Sequence, residues 1–189
     1  MANIEAIKQP EKGELLVAEP MLGDPNFDRS VILLTEHNEN GSLGFVLNKP
    51  LDLQFDDIVL DFPSLASRIY HGGPVQEDNL YFIHNKGSLI PGSQLIKDDL
   101  YWGGDLEPMK EMIRCGLLTA ENIRFFLGYS GWGMGQLHTE LHEKAWLVLE
   151  NSAIDVFNDS AAEMWRKILM DAGGKYPLWA NSPADPNLN

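Results

Sequence analysis

Between Phe125 and Leu137 the chain reads Phe-Phe-Leu-Gly-Tyr-Ser-Gly-Trp-Gly-Met-Gly-Gln-Leu, placing glycines at 128, 131, 133 and 135 directly after an apolar run. Glycine loses more conformational freedom on folding than any other residue. Four of them beside Tyr129 and Trp132 therefore point to a tightly shaped main-chain path. The pattern predicts a strand over Ile123–Tyr129, a glycine-rich loop, and a short helix over Met134–Lys144. The loop's shape serves either close packing or a ligand.

The other apolar runs are short and broken by turn residues. Glu14–Glu19 reads as a buried strand stopped by Pro20. Ser30–His37 and Gly44–Asn48 flank Asn38-Glu39-Asn40-Gly41-Ser42, which predicts a β-hairpin with a longer loop. Arg68–His71, Leu80–His84, Ser93–Ile96, Leu100–Trp102 and Ala145–Glu150 are further strands. Leu53, Phe55, Ile58, Val59 and Phe62 have helical spacing, with Asp52 as N-cap and Pro63 as the stop. Asp105 opens a helix over Leu106–Arg114, and Asp159 or Ser160 opens the last one. Strands outnumber helices, the first long pair forms a hairpin, and regular βαβ alternation is missing. These features predict an α+β fold on a mixed, antiparallel-rich sheet. A single domain is expected over 14–175, with 1–13 a lead-in and 176–189 a proline-containing tail, disordered or draped over the surface.

Folding 189 residues buries roughly 70% of the surface of the unfolded chain, so no metal or disulfide is needed for stability. The one cysteine, Cys115, excludes an internal disulfide and fits a reducing cytosol. The N-terminus lacks a signal-peptide layout, and no apolar run approaches the roughly 20 residues that span a bilayer. A cytoplasmic location without membrane contact is expected. The net charge is −14, with 28 acidic residues against 14 basic ones. A DNA-binding surface needs clustered Lys and Arg, and no window here is basic. Direct binding to nucleic acid is disfavoured, whereas basic protein partners suit the charge.

Several motifs approach known chemistry and miss it. Gly128-Tyr129-Ser130-Gly131-Trp132 has Trp132 where a nucleophile elbow requires its last glycine. Ser130 then reads as a turn hydroxyl bonding nearby backbone. Gly131-x-Gly133-x-Gly135-Gln136 resembles a dinucleotide fingerprint with its third glycine one residue early and no βαβ unit around it. An anion at the helix N-terminus is one reading, and tight strand–helix packing is the favoured one. His138 and His142 share a helical face, but Thr139 stands where a zincin has glutamate, and no third ligand is evident. Two exposed histidines are expected, with no metal and no cofactor. His71-Gly72-Gly73-Pro74 and Trp102-Gly103-Gly104-Asp105 offer backbone donors of oxyanion type. A strand end and a helix cap explain them equally and are favoured. Cys115 lies near a helix end rather than an N-terminus, so no reactive thiolate is expected.

Taken in order, Asp24-Pro25-x-Phe27-x-Arg29-Ser30-Val31-Ile32, Glu36-His37 and Gly44-Phe45-Val46-Leu47-Asn48-Lys49-Pro50 resemble the AlgH/YqgE-like family of bacterial proteins. Gly72-Gly73-Pro74-Val75, Trp102-Gly103-Gly104-Asp105 and Phe126–Leu137 extend the likeness, so that it covers about 13–180. Met134 departs from the pattern, standing where the family usually has proline, which leaves the turn less rigid. The resemblance implies an α+β domain whose bifurcated sheet forms a partial barrel with flanking helices. It brings the label of a regulator of polysaccharide transcription for one branch, and no catalytic residues. With this charge, such regulation is expected to act through a protein partner.

Two functional expectations follow. The first is a cytosolic binding or regulatory protein taking an unknown small molecule or protein partner. Its ligand-binding candidates are Arg29, Ser30, Asn48, Gly73, Ser130, Gly131, Trp132, Gly133 and Gln136, which would form a concave polar patch if folded together. The alternative is a hydrolase-like enzyme acting on a small anionic substrate at the Gly128–Gln136 loop. Ser130, or a water activated by His37 or His71, would do its chemistry.

Overall fold

A computed structural model describes residues 8–150 and 154–183. The far ends of the predicted lead-in and tail lie outside the described residues. The elements run β1 (Leu15–Ala18), β2 (Val31–Asn38), β3 (Gly41–Val46), β4 (Pro50–Gln54), α1 (Phe55–Ile58), β5 (Arg68–His71), β6 (Val75–His84), β7 (Gln94–Lys97) and β8 (Leu100–Trp102). They continue with α2 (Leu106–Arg114), β9 (Ile123–Gly133), α3 (Gln136–His142), β10 (Trp146–Leu149), α4 (Ala161–Ala172) and α5 (Tyr176–Ala180).

The ten strands form one branched, mixed and mostly antiparallel sheet in the order β10-β1-β2-β3-β9-β6-β8-β7, with β4 and β5 branching from β9. β9 is the hub. Its first half pairs in parallel with β5, Ile69↔Phe125 to His71↔Leu127. Its second half pairs antiparallel with β3, Gly44↔Ser130 to Gly41↔Gly133. β6 runs antiparallel along the length Ile123–Tyr129. The sheet therefore forks at β9 and stays open rather than closing into a barrel.

Both faces of the sheet are covered along β1 and the first halves of β2 and β9, which explains why these stretches read as continuous apolar runs rather than alternating ones. Leu15 and Val17 face α4 with Phe126, Met164 and Trp165, whereas Leu16 and Ala18 face α3 with Leu137 and Leu141. Phe125 joins the α2 side with Phe55, Ile69 and Met109. Burying each such aromatic or aliphatic side chain stabilises the fold by roughly 1.5–3 kcal/mol.

Three elements differ from expectation. The helix predicted over Leu53–Phe62 is a strand followed by one turn. In Pro50–Gln54 exposed and half-buried residues alternate, a period of two that suits β4's pairing with β5. Phe55 then turns inward and stacks on Phe125 at 4.3 Å between ring centroids. Asp57, not Asp52, supplies the cap, accepting the Gln54 N–H at 2.9 Å. The hairpin loop is a two-residue turn, Glu39-Asn40, because Gly41 joins the ladder opposite Asn38. Finally, the glycine-rich loop is not a loop. β9 continues through Gly133, and the chain turns only at Met134-Gly135. Gly135 is N-cap to α3 in the left-handed region, φ 73°, a conformation costly for residues with a Cβ. Within the predicted tail, α5 packs against the core through Tyr176 and Trp179, with Ala180 buried.

Candidate functional site

The candidate residues fall into three groups. The first holds the entrance to β2. Asn48 Oδ1 accepts the Val31 N–H at 2.8 Å and its Nδ2 donates to the Arg29 carbonyl at 2.9 Å. Asn48 thus extends the β2–β3 connection past its last main-chain bond, from the Leu47 N–H to the Val31 carbonyl at 2.8 Å. Arg29 has φ 49°, sits 4.9 Å over the Trp165 ring, and donates from Nη2 to the Ser182 carbonyl at 2.7 Å. It ties the C-terminal segment to the sheet. Ser30 is fully buried. Beside this clamp, Lys49 Nζ donates to the Pro25 and Asn26 carbonyls. Burial pushes its pKa below the usual lysine value, opposed by Asp28 and Asp24.

The second group is packing. A Cβ on Gly73 (φ 149°) would collide with the Tyr129–Ser130 peptide. Ser130 is completely buried and its Oγ donates to the Gly72 carbonyl at 3.1 Å. This hydroxyl cannot meet a substrate, which removes the nucleophile of the hydrolase reading.

His84 does not restore one. His84 Nδ1 lies 3.1 Å from the Lys86 N–H, so it accepts, and Nε2 carries the proton. Nε2–H faces Ser93 Oγ at 2.9 Å and the Gly103 carbonyl at 3.1 Å, while Ser93 Oγ donates to the Ile90 carbonyl at 2.6 Å. A protonated nitrogen cannot take the serine proton. Burial holds the His84 pKa below the ordinary imidazole value, with the Gly103 bond opposing. His71 shifts the same way through burial, opposed by Glu77, whose carboxylate is 3.9 Å from Nδ1. His37 Nδ1 meets Ser42 Oγ at 2.7 Å as an exposed cross-strand pair.

The third group surrounds an open groove of about 440 Å³ at the tip of the β2–β3 hairpin. Its surface includes Gly131, Trp132 and Gly133. Strand alternation and the registers Glu36↔Leu43↔Gly131 and Gly41↔Gly133 put Glu36, Leu43, Gly131, Gly41 and Gly133 on one sheet face. The same alternation puts the His37 and Ser42 side chains and the Trp132 ring on the other, so His37, which does not line the groove, points away from it. Val75 and Tyr129 form one wall, and Glu36, Asn38 and Asn40 the polar rim. The β2 entrance is five residues back along the strand, roughly 17 Å away at strand spacing. The nine candidates therefore do not form a single patch.

Gln136 belongs to the mechanism that holds the groove's edge. Its Oε1 accepts the Gly133 N–H at 3.0 Å, and its Nε2 donates to Glu140 Oε1 at 3.0 Å. Glu140 Oε2 accepts both indole N–H groups, Trp132 at 2.8 Å and Trp146 at 2.7 Å. One carboxylate thus fastens α3 to β9 and β10. Sequence reading missed Glu140 in this role, and the signal was its position four residues after Gln136, on the same helix face.

A larger groove of about 670 Å³ lies between the β7–β8 turn and the segment 154–159. Two of its five carboxylates, Asp155 and Asp159, already serve the local turn. Asp155 accepts the Phe157 and Asn158 N–H groups, and Asp159 accepts the Asp155 N–H and pairs with Lys167 at 2.9 Å.

Among the described residues no helix is long and apolar enough to cross a membrane. The fold and surface define an α+β protein with a branched ten-stranded sheet and a groove at its hairpin tip. The chain belongs to the AlgH-like family, which residues 15–177 match. A UPF0301 protein of Cytophaga hutchinsonii is 43% identical over 179 residues, 94% of this chain and 98% of the relative. One of Chlorobaculum tepidum is 41% identical over the full length of both. The solution structure of the Pseudomonas aeruginosa AlgH protein is similar at TM-score 0.70 and 29% identity, covering 93% of this chain and 98% of that one. A crystallised Corynebacterium diphtheriae protein shares the fold at TM-score 0.76 and 23% identity, over 93% and 94% of the two chains.

Proposed function

We propose that this protein is a cytosolic binding module, with the hairpin-tip groove holding a small polar molecule and any regulatory output passing to a protein partner. Gly133 carries the reading. Its backbone is outside the left-handed region, and an added Cβ would meet only Gln136 Oε1, at 3.9 Å. Neither conformation nor packing calls for glycine there, yet any side chain would stand in the groove. Glu36 is on the rim and no lysine or arginine lines the groove, which favours an uncharged or cationic ligand bearing N–H or O–H donors over an anion. The net charge of −14 supports output through proteins rather than DNA. The test is native mass spectrometry of the purified protein beside Gly133→Val. A small molecule retained by the parent and lost from a variant of unchanged melting temperature is the expected result. Equal retention by both, or none by either, rejects the reading.

A further inference from the structure

α3 carries two imidazoles that the groove does not use. His138 and His142 are both exposed, one helical turn apart, with ring centroids 4.2 Å from each other. His142 Nδ1 lies 2.8 Å from the His138 carbonyl oxygen. A carbonyl only accepts, so Nδ1 carries the proton and Nε2 keeps its lone pair directed outward. Metal-bound histidines use this arrangement: the second ring nitrogen donates to a carbonyl, which sets the tautomer and raises the basicity of the ligating nitrogen. The helix beneath is held firmly. Leu137 and Leu141 are buried, and Glu140 is bonded to two tryptophans. The pair therefore stands on a rigid support, with the His142 ring oriented by its bond to the His138 carbonyl and the exposed His138 ring left to turn about its χ angles.

We infer that His138 and His142 form a two-imidazole chelating site for a divalent transition-metal ion, with Cu²⁺ the best match. Turning the His138 ring lets its nitrogen and the His142 Nε2 reach one ion at about 2.0–2.1 Å, the usual metal–imidazole length, with the His142 bond to the His138 carbonyl kept. No group of three or more His, Cys, Asp or Glu side chains suited to a metal occurs among the described residues. Water fills the ion's other positions, so the site is not a closed four-ligand zinc centre. Cu²⁺ accepts imidazole nitrogen in tetragonal geometry and binds most tightly of the divalent first-row series. Mg²⁺ and Ca²⁺ require oxygen ligands and do not compete.

The test uses the full-length chain without an affinity tag, titrated with CuCl₂ by calorimetry in a weakly coordinating buffer, with electron paramagnetic resonance of the loaded protein. One equivalent is expected, with nitrogen hyperfine structure from two imidazoles. His138→Gln or His142→Gln should each lower affinity by roughly 100-fold, the advantage of an intramolecular second ligand. The metal-free melting temperatures of these variants should stay within a degree or so of the parent's, because both rings are exposed. Titration with MgCl₂ should give no binding heat. If the double variant binds Cu²⁺ as the parent does, the ion sits elsewhere and the proposal falls. It falls equally if resonance shows a single nitrogen ligand.

Discussion

Glu140→Ala is expected to destabilise this protein more than its partly exposed position suggests. The carboxylate accepts the indole N–H groups of Trp132 and Trp146, each only 5% exposed, and the Gln136 amide. Removing it strands two buried donors at about 1–3 kcal/mol each. Water can reach part of the vacated space, so the lower half of the combined range applies, about 3 kcal/mol. A chain of 189 residues melts with an entropy of about 0.4 kcal/mol/K, so the melting temperature should fall by about 7–8 °C. Glu140→Gln should cost less, about 1 kcal/mol, because its one amide oxygen can still accept from an indole while its NH₂ faces the Gln136 amide. Scanning calorimetry gives the magnitude. Near-ultraviolet circular dichroism reports the Trp132–Trp146 pair, whose rings meet edge to face at 5.9 Å. A Glu140→Ala protein within about 0.5 kcal/mol of the parent, the range of an ordinary surface change, would show that the bridge contributes nothing.

Two further outcomes test the local arguments. Gly73→Ala should lose several degrees of melting temperature, because its φ of 149° and the Tyr129–Ser130 peptide both oppose a Cβ, whereas Gly133→Ala should lose none. Denaturant titrations compared across pH test His84, whose folded pKa lies below the ordinary 6.5. The unfolded chain then takes up a proton first, so this stabilisation is complete above about pH 6.5 and declines as the pH falls towards the folded value. His71 shifts in the same direction, so His84→Gln should reduce the slope between pH 7 and 5 without abolishing it. An unchanged slope would contradict a buried neutral His84.

Much of this architecture is legible in the chain because it depends on neighbours in sequence. The runs at Leu15–Ala18, Val31–Asn38 and Trp146–Leu149 are apolar enough to be strands wherever they pair. Ser160 and Gly173 bracket α4. The linked motifs from Asp24 to Leu137 identify the family before any coordinate is known. Also local is the four-residue spacing of His138 and His142.

What the chain could not show depends on partners distant in sequence. Leu53 and Phe55 satisfy a helical spacing as well as an extended one, and only pairing with β5 and stacking on Phe125 select strand followed by turn. The glycines after Gly128 signal a bend by themselves, yet β3 lies alongside and draws residues 130–133 into a ladder. Ser130 looks like a nucleophile until its neighbours bury it against Gly72. Propensity, capping and periodicity are properties of a few adjacent residues and can be read in one dimension. Which face of a strand meets solvent, and which polar atom a folded neighbour reaches first, is set by contacts that exist only once the sheet has assembled.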